Sequence, residues 1–199
     1  MLRAVYKKIA GLLVGKTKKT ESPQKAPKTG VVLTIGHSTR EMKDFIGLLQ
    51  SSGVKRLFDV RTVPRSRHNP QFNKDTLPGD LARAGIEYEH LQDLGGLRRT
   101  GPESVNTAWR NASFRGFADY MQTESFEKAL EGLIKKASRD LSAIMCAEAV
   151  PWQCHRSLIA DALVVRGITV EHITGKGRRI PHAITTFARV RGDSITYPG

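Results

Sequence analysis

Cysteine is scarce in this sequence: two residues among 199, both inside CAEAVPWQCHR at 146–156. So few thiols exclude a small disulfide-stapled scaffold, and they fit a reducing cytoplasm better than an oxidising compartment. No apolar run approaches the roughly 18 residues that would mark a membrane span. The opening MLRAVYKKIAGLLVGKTKKT has a basic start and a short apolar run, but it lacks a small-residue cleavage site, so no secretory signal is expected. Acidic residues are few as well, 19 against 32 Lys and Arg, for a formal net charge of +13. Residues 1–30 carry +7 of that charge, which leaves +6 for the remaining 169. The basic excess is therefore largely a property of one arm.

Within that arm Leu2, Val5, Tyr6, Ile9, Leu12 and Leu13 fall on one helical face, with Arg3, Lys7, Lys8 and Lys16 available for the other. Residues 1–20 are thus candidates for weak membrane-surface or nucleic-acid contact. The following TKKTESPQKAPKTG is polar and proline-bearing like a linker, which equally suits a flexible extension.

From residue 31 onward apolar extended runs alternate with amphipathic runs, the order expected of an open, mostly parallel α/β sheet of about five strands flanked by helices. Strands are predicted at 31–36, 55–61, 86–91, 141–146 and 168–173. After the first, Ser38 and Glu41 have the capping-box spacing, and Met42, Phe45, Ile46 and Leu49 form an apolar stripe that Gly53 would end. Further helices are predicted around 77–84, through FADYM into SFEKALEGLIKKAS, and over HRSLIADALVVRG. QDLGGLRRTGPESVNTAWRNASF lacks periodicity and reads as an excursion or lid. The expected organisation is a basic extension at 1–30, one α/β domain at 31–175, and a C-terminal extension at 176–199 packing on or near it.

Parallel α/β sheets bind ligands beyond the carboxyl ends of their strands. Here those positions are polar: His37, Ser38 and Arg40 after the first strand; Asp59, Arg61, Arg65 and Ser66 at and after the second; Cys146, Glu148, Cys154, His155 and Arg156 after the fourth. The blocks GHSTR at 36–40, DVRTVPRS at 59–66, PQFN at 70–73 and CAEAVPWQCHR at 146–156 occur in this order, and with them the chain resembles the uncharacterised family catalogued as domain of unknown function number 488. The resemblance covers roughly residues 31–174. It implies an α/β fold and marks the four blocks as site elements, without implying a reaction.

Arginines 40, 61, 65, 67 and 156 near loops and helix starts suit phosphate or carboxylate recognition; any one of them could instead pair with Asp59 or Glu148. Ser38 would serve as a helix cap. His37 reads either as a ring packed under the loop or as a general acid/base. Asp59 and Glu148 are each candidate bases or arginine partners. Trp152 and Tyr88, with Phe72 and Trp109, could stack a flat group or cover the core.

Seven residues separate Cys146 from Cys154. Cys154 and His155 are neighbours expected to point apart, so a local zinc site is disfavoured by spacing. A metal held by Cys146, Cys154, His155 or His37 remains a minor alternative. A thiolate at Cys154 beside a helix start is another. A third places Cys154 under the loop while His155 and Arg156 bind an anion beside Glu148.

The expected function is an enzyme taking an anionic, phosphate-bearing substrate, whether a nucleotide, modified nucleoside or nucleic acid, with hydrolysis as the first reaction to consider. Its candidate catalytic groups are Glu148, Asp59, His37 and His155. Arg40, Arg61, Arg65, Ser66, Arg156 and Trp152 would bind substrate. The alternatives are a non-catalytic nucleic-acid-binding module and a metal or redox sensor built on Cys146, Cys154 and His155.

Overall fold

A computed structural model describes residues 30–199. The amphipathic pattern in residues 1–20, with its nucleic-acid and membrane readings, lies outside the described residues. A six-stranded, mostly parallel sheet has the order β3-β2-β4-β1-β5-β6, made by β1 (Val31–Gly36), β2 (Arg56–Asp59), β3 (Glu87–His90), β4 (Ser142–Cys146), β5 (Thr169–Gly175) and β6 (Arg178–Pro181). Among the described residues five helices cover it: α1 (Met42–Ser51), α2 (Leu77–Arg83), α3 (Ala112–Tyr120), α4 (Glu124–Ala137) and α5 (Arg156–Val165). The five predicted strands are β1 to β5. The sixth, β6, pairs antiparallel with β5.

The strands' alternation builds two cores. Leu33, Ile35, Leu57, Ala143 and Met145 pack with Phe45 and Leu49 of α1 and Leu77 and Leu81 of α2. Val32, Phe58, Ile144 and Cys146 point the other way, to Phe117 of α3, Leu130 of α4 and Leu158 of α5. Burial of such side chains contributes on the order of 1.5–3 kcal/mol each. α4 is also well capped, with Thr123 accepting from the Phe126 amide, acidic residues in the first turn and lysines in the last.

Topology creates a crevice. β1 sits directly beside β4, yet the chain leaves β1 toward β2 on one side and leaves β4 toward β5 on the other. Right-handed crossovers in opposite directions put α1 and α5 on opposite faces, so the loops after β1 and β4 diverge and leave room between them.

Ser38 does not cap α1. The cap position is Glu41, whose side chain makes no capping bond. Ser38 instead has φ of 51°, and its amide donates to the Ala147 carbonyl at 2.8 Å. Continuing the β1–β4 ladder past Gly36 takes the residue that the capping spacing had suggested, so the helix begins three residues later.

The C-terminal segment is fastened to the domain. β7 (Arg189–Arg191) and β8 (Ser194–Thr196) form a hairpin, and the fully buried Tyr197 donates to Asp161 Oδ2 at 2.9 Å. Asp161 Oδ1 accepts from His182 Nε2 at 2.8 Å. His182 Nδ1 is 3.0 Å from His172 Nε2, and His172 Nδ1 is 2.7 Å from the Thr34 hydroxyl. With Asp161 accepting, each imidazole in turn donates toward Asp161 and accepts from the side of Thr34. The relay therefore needs a neutral His172. Among the described residues no helix is long and apolar enough to cross a membrane.

Burial, reinforced by the charges of His182 and Arg156, pushes His172 down to about 4, whereas the unfolded chain titrates near pH 6.5. The unfolded state thus binds the proton first, and the contribution of His172 to stability is complete above about pH 6.5, falls as pH drops, and is gone by about pH 4. In urea unfolding between pH 7.5 and 4, His172→Asn should start less stable than the parent and show a flatter decline across that window. Parallel curves would show that His172 does not titrate with folding.

Candidate functional site

The crevice beyond β1, β2 and β4 holds a cleft of about 430 Å³ lined by His37, Ser38, Arg61, Arg65, Ser66, Asn69 and Glu148, with the backbone of residues 147–150 as one wall. Gly36 makes the crossing possible. A Cβ there would lie 1.7 Å from the Glu148 carbonyl oxygen, so no residue with a side chain fits without moving the loop after β4.

Asp59 is fully buried under the cleft. Its carboxylate accepts from the Arg61 amide at 3.0 Å, from Arg61 Nε at 2.9 Å, from Arg61 Nη2 at 2.6 Å and from the Tyr88 hydroxyl at 2.8 Å. Burial and the Asp59 charge push the Tyr88 hydroxyl's pKa up, so Tyr88 stays a donor. Arg61 also donates to the Phe72 carbonyl at 2.7 Å, and its own carbonyl lies 2.7 Å from His90 Nε2. The guanidinium is held from behind and presents its Nη1 side to His37 and the cleft.

His37 is 2% exposed, stacked on Phe72 at 4.3 Å between ring centroids. Its Nδ1 lies 2.7 Å from the Ser38 carbonyl and its Nε2 3.2 Å from Arg61 Nη1. A carbonyl only accepts and a guanidinium only donates, so the proton resides on Nδ1. Burial, with help from the Arg61 charge, lowers the His37 pKa. The ring is a neutral bridge between Arg61 and the loop after β1.

The other expected residues separate by depth. Arg65 is exposed at 74% and loosely paired with Asp75 at 3.5 Å. Ser66 receives the Asn69 amide on its hydroxyl at 3.0 Å, which folds the loop that carries Arg65. Glu148 is exposed on the cleft wall, and among the described residues its carboxylate enters no ion pair. Arg40 turns back to donate to the Gly36 carbonyl at 2.5 Å and is not part of the cleft lining. Trp152 points to solvent at 67% exposure.

Arg156 was expected at the mouth, but it runs wholly buried beneath the loop after β4. Its Nη2 donates to the Ala149 carbonyl at 3.1 Å. Nε and Nη1 have no hydrogen-bond partner among the described residues. As the first residue of α5 it projects back under the strand ends, and Gly36 leaves room for it there, since a Cβ at that position would lie 2.8 Å from Arg156 Nη1.

His155 opens onto a second cavity of about 380 Å³, which shares Arg61, Glu148 and Gln153 with the cleft. Here the expectation that Cys154 and His155 diverge is corrected. Neighbouring side chains point apart along an extended strand; Cys154 is extended at φ −136°, ψ 143°, while His155 is helical at φ −54°, ψ −18°. The bend turns both inward, to Cys146. His155 Nδ1 is 3.6 Å from Cys154 Sγ and 3.9 Å from Cys146 Sγ, and Nε2 is 2.9 Å from the Val60 carbonyl. Both cysteines are free and buried. The Cys154 thiol and His155 favour a thiolate at Cys146, whose pKa falls, while facing Cys146 raises that of Cys154.

Sequence reasoning passed over several residues around these cavities. Asn69 and Gln153 line the cleft, and Gly96, Asn111, Ser113 and Phe114 line the second cavity. The glycine pair in QDLGGLRRTG was the available signal, since a backbone that touches a ring tolerates no side chain. A Cβ at Gly96 would meet His155 Nδ1 at 2.4 Å.

No curated protein and no solved structure matches this chain. A family model, Domain of unknown function DUF488, matches residues 41–163, a stretch that carries Asp59, Arg61, Glu148 and the whole Cys146–His155 cluster. That match covers more than half of the chain, and the protein therefore belongs to the DUF488 family.

Proposed function

We propose that this protein is an enzyme that binds an anionic, phosphate-bearing substrate, a nucleotide, modified nucleoside or nucleic acid, in the cleft between β1 and β4 and hydrolyses it. The observation that carries this reading is Glu148: a carboxylate without an ion-pair partner among the described residues, on the wall of a cleft that also presents Arg61 and Arg65. Guanidinium groups would hold the phosphate. Glu148 would take a proton from the attacking water; the hydroxyl adds to one side of the scissile bond and the proton returns to the leaving group on the other.

The roles of the remaining groups follow from their contacts. Both nitrogens of His37 are engaged, so it positions Arg61 rather than carrying a proton. Asp59 already accepts from Arg61 and Tyr88, and it serves as the anchor of Arg61. Arg156, without a carboxylate partner among the described residues, would lend its charge from below, where low polarisability lengthens its reach. Two free thiols suit a reducing, cytoplasmic setting.

The exposed Trp152, next to the cleft residue Gln153, supports a second reading: a module that stacks a base of single-stranded nucleic acid without catalysis. That reading expects binding that weakens steeply with salt and on Trp152→Ala, with no turnover of any substrate.

Paired substitutions test the assignment against nucleotides, nucleosides and oligonucleotides. Glu148→Gln should lower kcat by about 100-fold or more with an unchanged melting temperature. Asp59→Asn should unsettle the buried Arg61; removing one partner of a buried pair typically costs about 3–5 kcal/mol, so reduced urea stability is the expected readout. Full activity in Glu148→Gln on every substrate turned over by the parent would sink the proposed chemistry. For the exposed Arg65, Arg65→Ala should weaken phosphate or nucleotide binding by about tenfold while stability stays within about 0.5 kcal/mol; unchanged affinity in isothermal titration would remove Arg65 from the site.

A further inference from the structure

The second cavity ends on a cluster that the proposed hydrolysis does not use. We propose that Cys146, Cys154 and His155 bind a zinc-class divalent ion, as three protein ligands with a fourth position facing that cavity. This proposal stands apart from any substrate in the cleft.

The donor set and its spacing carry it. Two sulfurs and one imidazole nitrogen lie within 4.8 Å of one another, the nitrogen 3.6 Å and 3.9 Å from the two sulfurs. A tetrahedral ion with bonds of about 2.3 Å to sulfur and about 2.0 Å to nitrogen keeps its ligands roughly 3.5–3.8 Å apart. The side chains are therefore close to ligand positions already. Soft sulfur with imidazole favours zinc-class ions over magnesium or calcium. Two thiolates and a neutral imidazole cancel a divalent charge, so the ion can enter a buried place without a counter-ion.

The surroundings orient the ligands. His155 Nε2 donates to the Val60 carbonyl at 2.9 Å, which fixes the proton there and turns the Nδ1 lone pair to the sulfurs, the kind of outer contact that positions metal-bound histidines. Gly96 keeps that side of the ring clear, since a Cβ would fall 2.4 Å from Nδ1. The cavity beyond has about 380 Å³, with Ser113, Asn111 and Glu148 on its walls. That leaves space for a water or substrate atom, as in zinc sites that are open rather than structural.

Metal binding is read directly on the full chain, reduced, stripped with chelator and titrated with cobalt(II) and then zinc(II). One equivalent of cobalt should produce thiolate-to-metal charge-transfer bands with the intense visible absorption of a tetrahedral site. One equivalent of zinc should abolish these bands and slow alkylation of both cysteines. Cys154→Ser and His155→Gln should weaken zinc binding by more than about 100-fold, and Gly96→Ala, which keeps every ligand, by about 10- to 100-fold. Circular dichroism establishes that each variant is folded, and alkylation protection in the parent needs no variant.

The proposal is overturned if the reduced, folded parent shows no charge-transfer band and zinc leaves alkylation unchanged. It is equally overturned if the two cysteines form a disulfide in air while the reduced protein binds no zinc. Either result leaves the cleft and Glu148 untouched. An inactive cleft would likewise leave the metal titration standing.

Discussion

The close approach of Gly36 to the Glu148 carbonyl is the contact on which the rest of the site depends. It continues the β1–β4 pairing beyond both strands, with the His37 amide donating to Cys146 at 3.0 Å and the Ser38 amide to Ala147 at 2.8 Å. Those two bonds determine where the chain leaves each strand. One sends His37 under the cleft and Ser38 into a left-handed turn; the other raises Glu148 onto the wall and leaves Cys146 facing inward. Because β1 and β4 send their chains in opposite directions, the same contact lies at the floor of a crevice that this strand order opens between neighbouring parallel strands.

Charge is distributed around that floor unevenly. Asp59 compensates Arg61, and Asp161 receives His182 and Tyr197, so the deep carboxylates are committed. Arg156 is the exception, buried without a carboxylate partner among the described residues. A buried cation lacking its counter-charge is costly, and burial lowers the Arg156 pKa accordingly. The surplus positive potential beneath residues 147–150 is thus a property of the fold, independent of how the surface lysines are arranged.

Periodicity made much of the fold legible. Apolar alternation in VVLTIG and LSAIMC and the stripes of α1, α4 and α5 record which face meets a core, and the five parallel strands followed from them. Depth was not legible. Arg61, Arg65 and Arg156 look alike as letters, yet one is pinned by Asp59, one is in solvent and one is beneath the loop, because long-range pairing rather than local pattern decides each fate. Ser38 had the spacing of a cap, and a ladder bond to Ala147 took it. Cys154 and His155 failed for a related reason: the rule that neighbours diverge holds along a strand, and a change from extended to helical backbone between them reversed it. β6 was missed because Arg178–Pro181 is exposed throughout and carries no apolar alternation to read.

The two cavities share a wall of Arg61, Glu148 and Gln153, which constrains what they can receive. The cleft is the more polar side, with Arg65, Ser66 and Asn69 around it, whereas the second cavity adds Leu97 and Phe114. A simple anion would satisfy the first and leave the second unused. A purely apolar ligand would do the reverse and leave the field of Arg156 unanswered. A molecule with a charged end and a flatter, less polar end would use both, and its junction would then lie against Glu148, the one group on the shared wall able to accept a proton. On the proposed function, cleavage would fall at that junction, beside the Glu148 carboxylate.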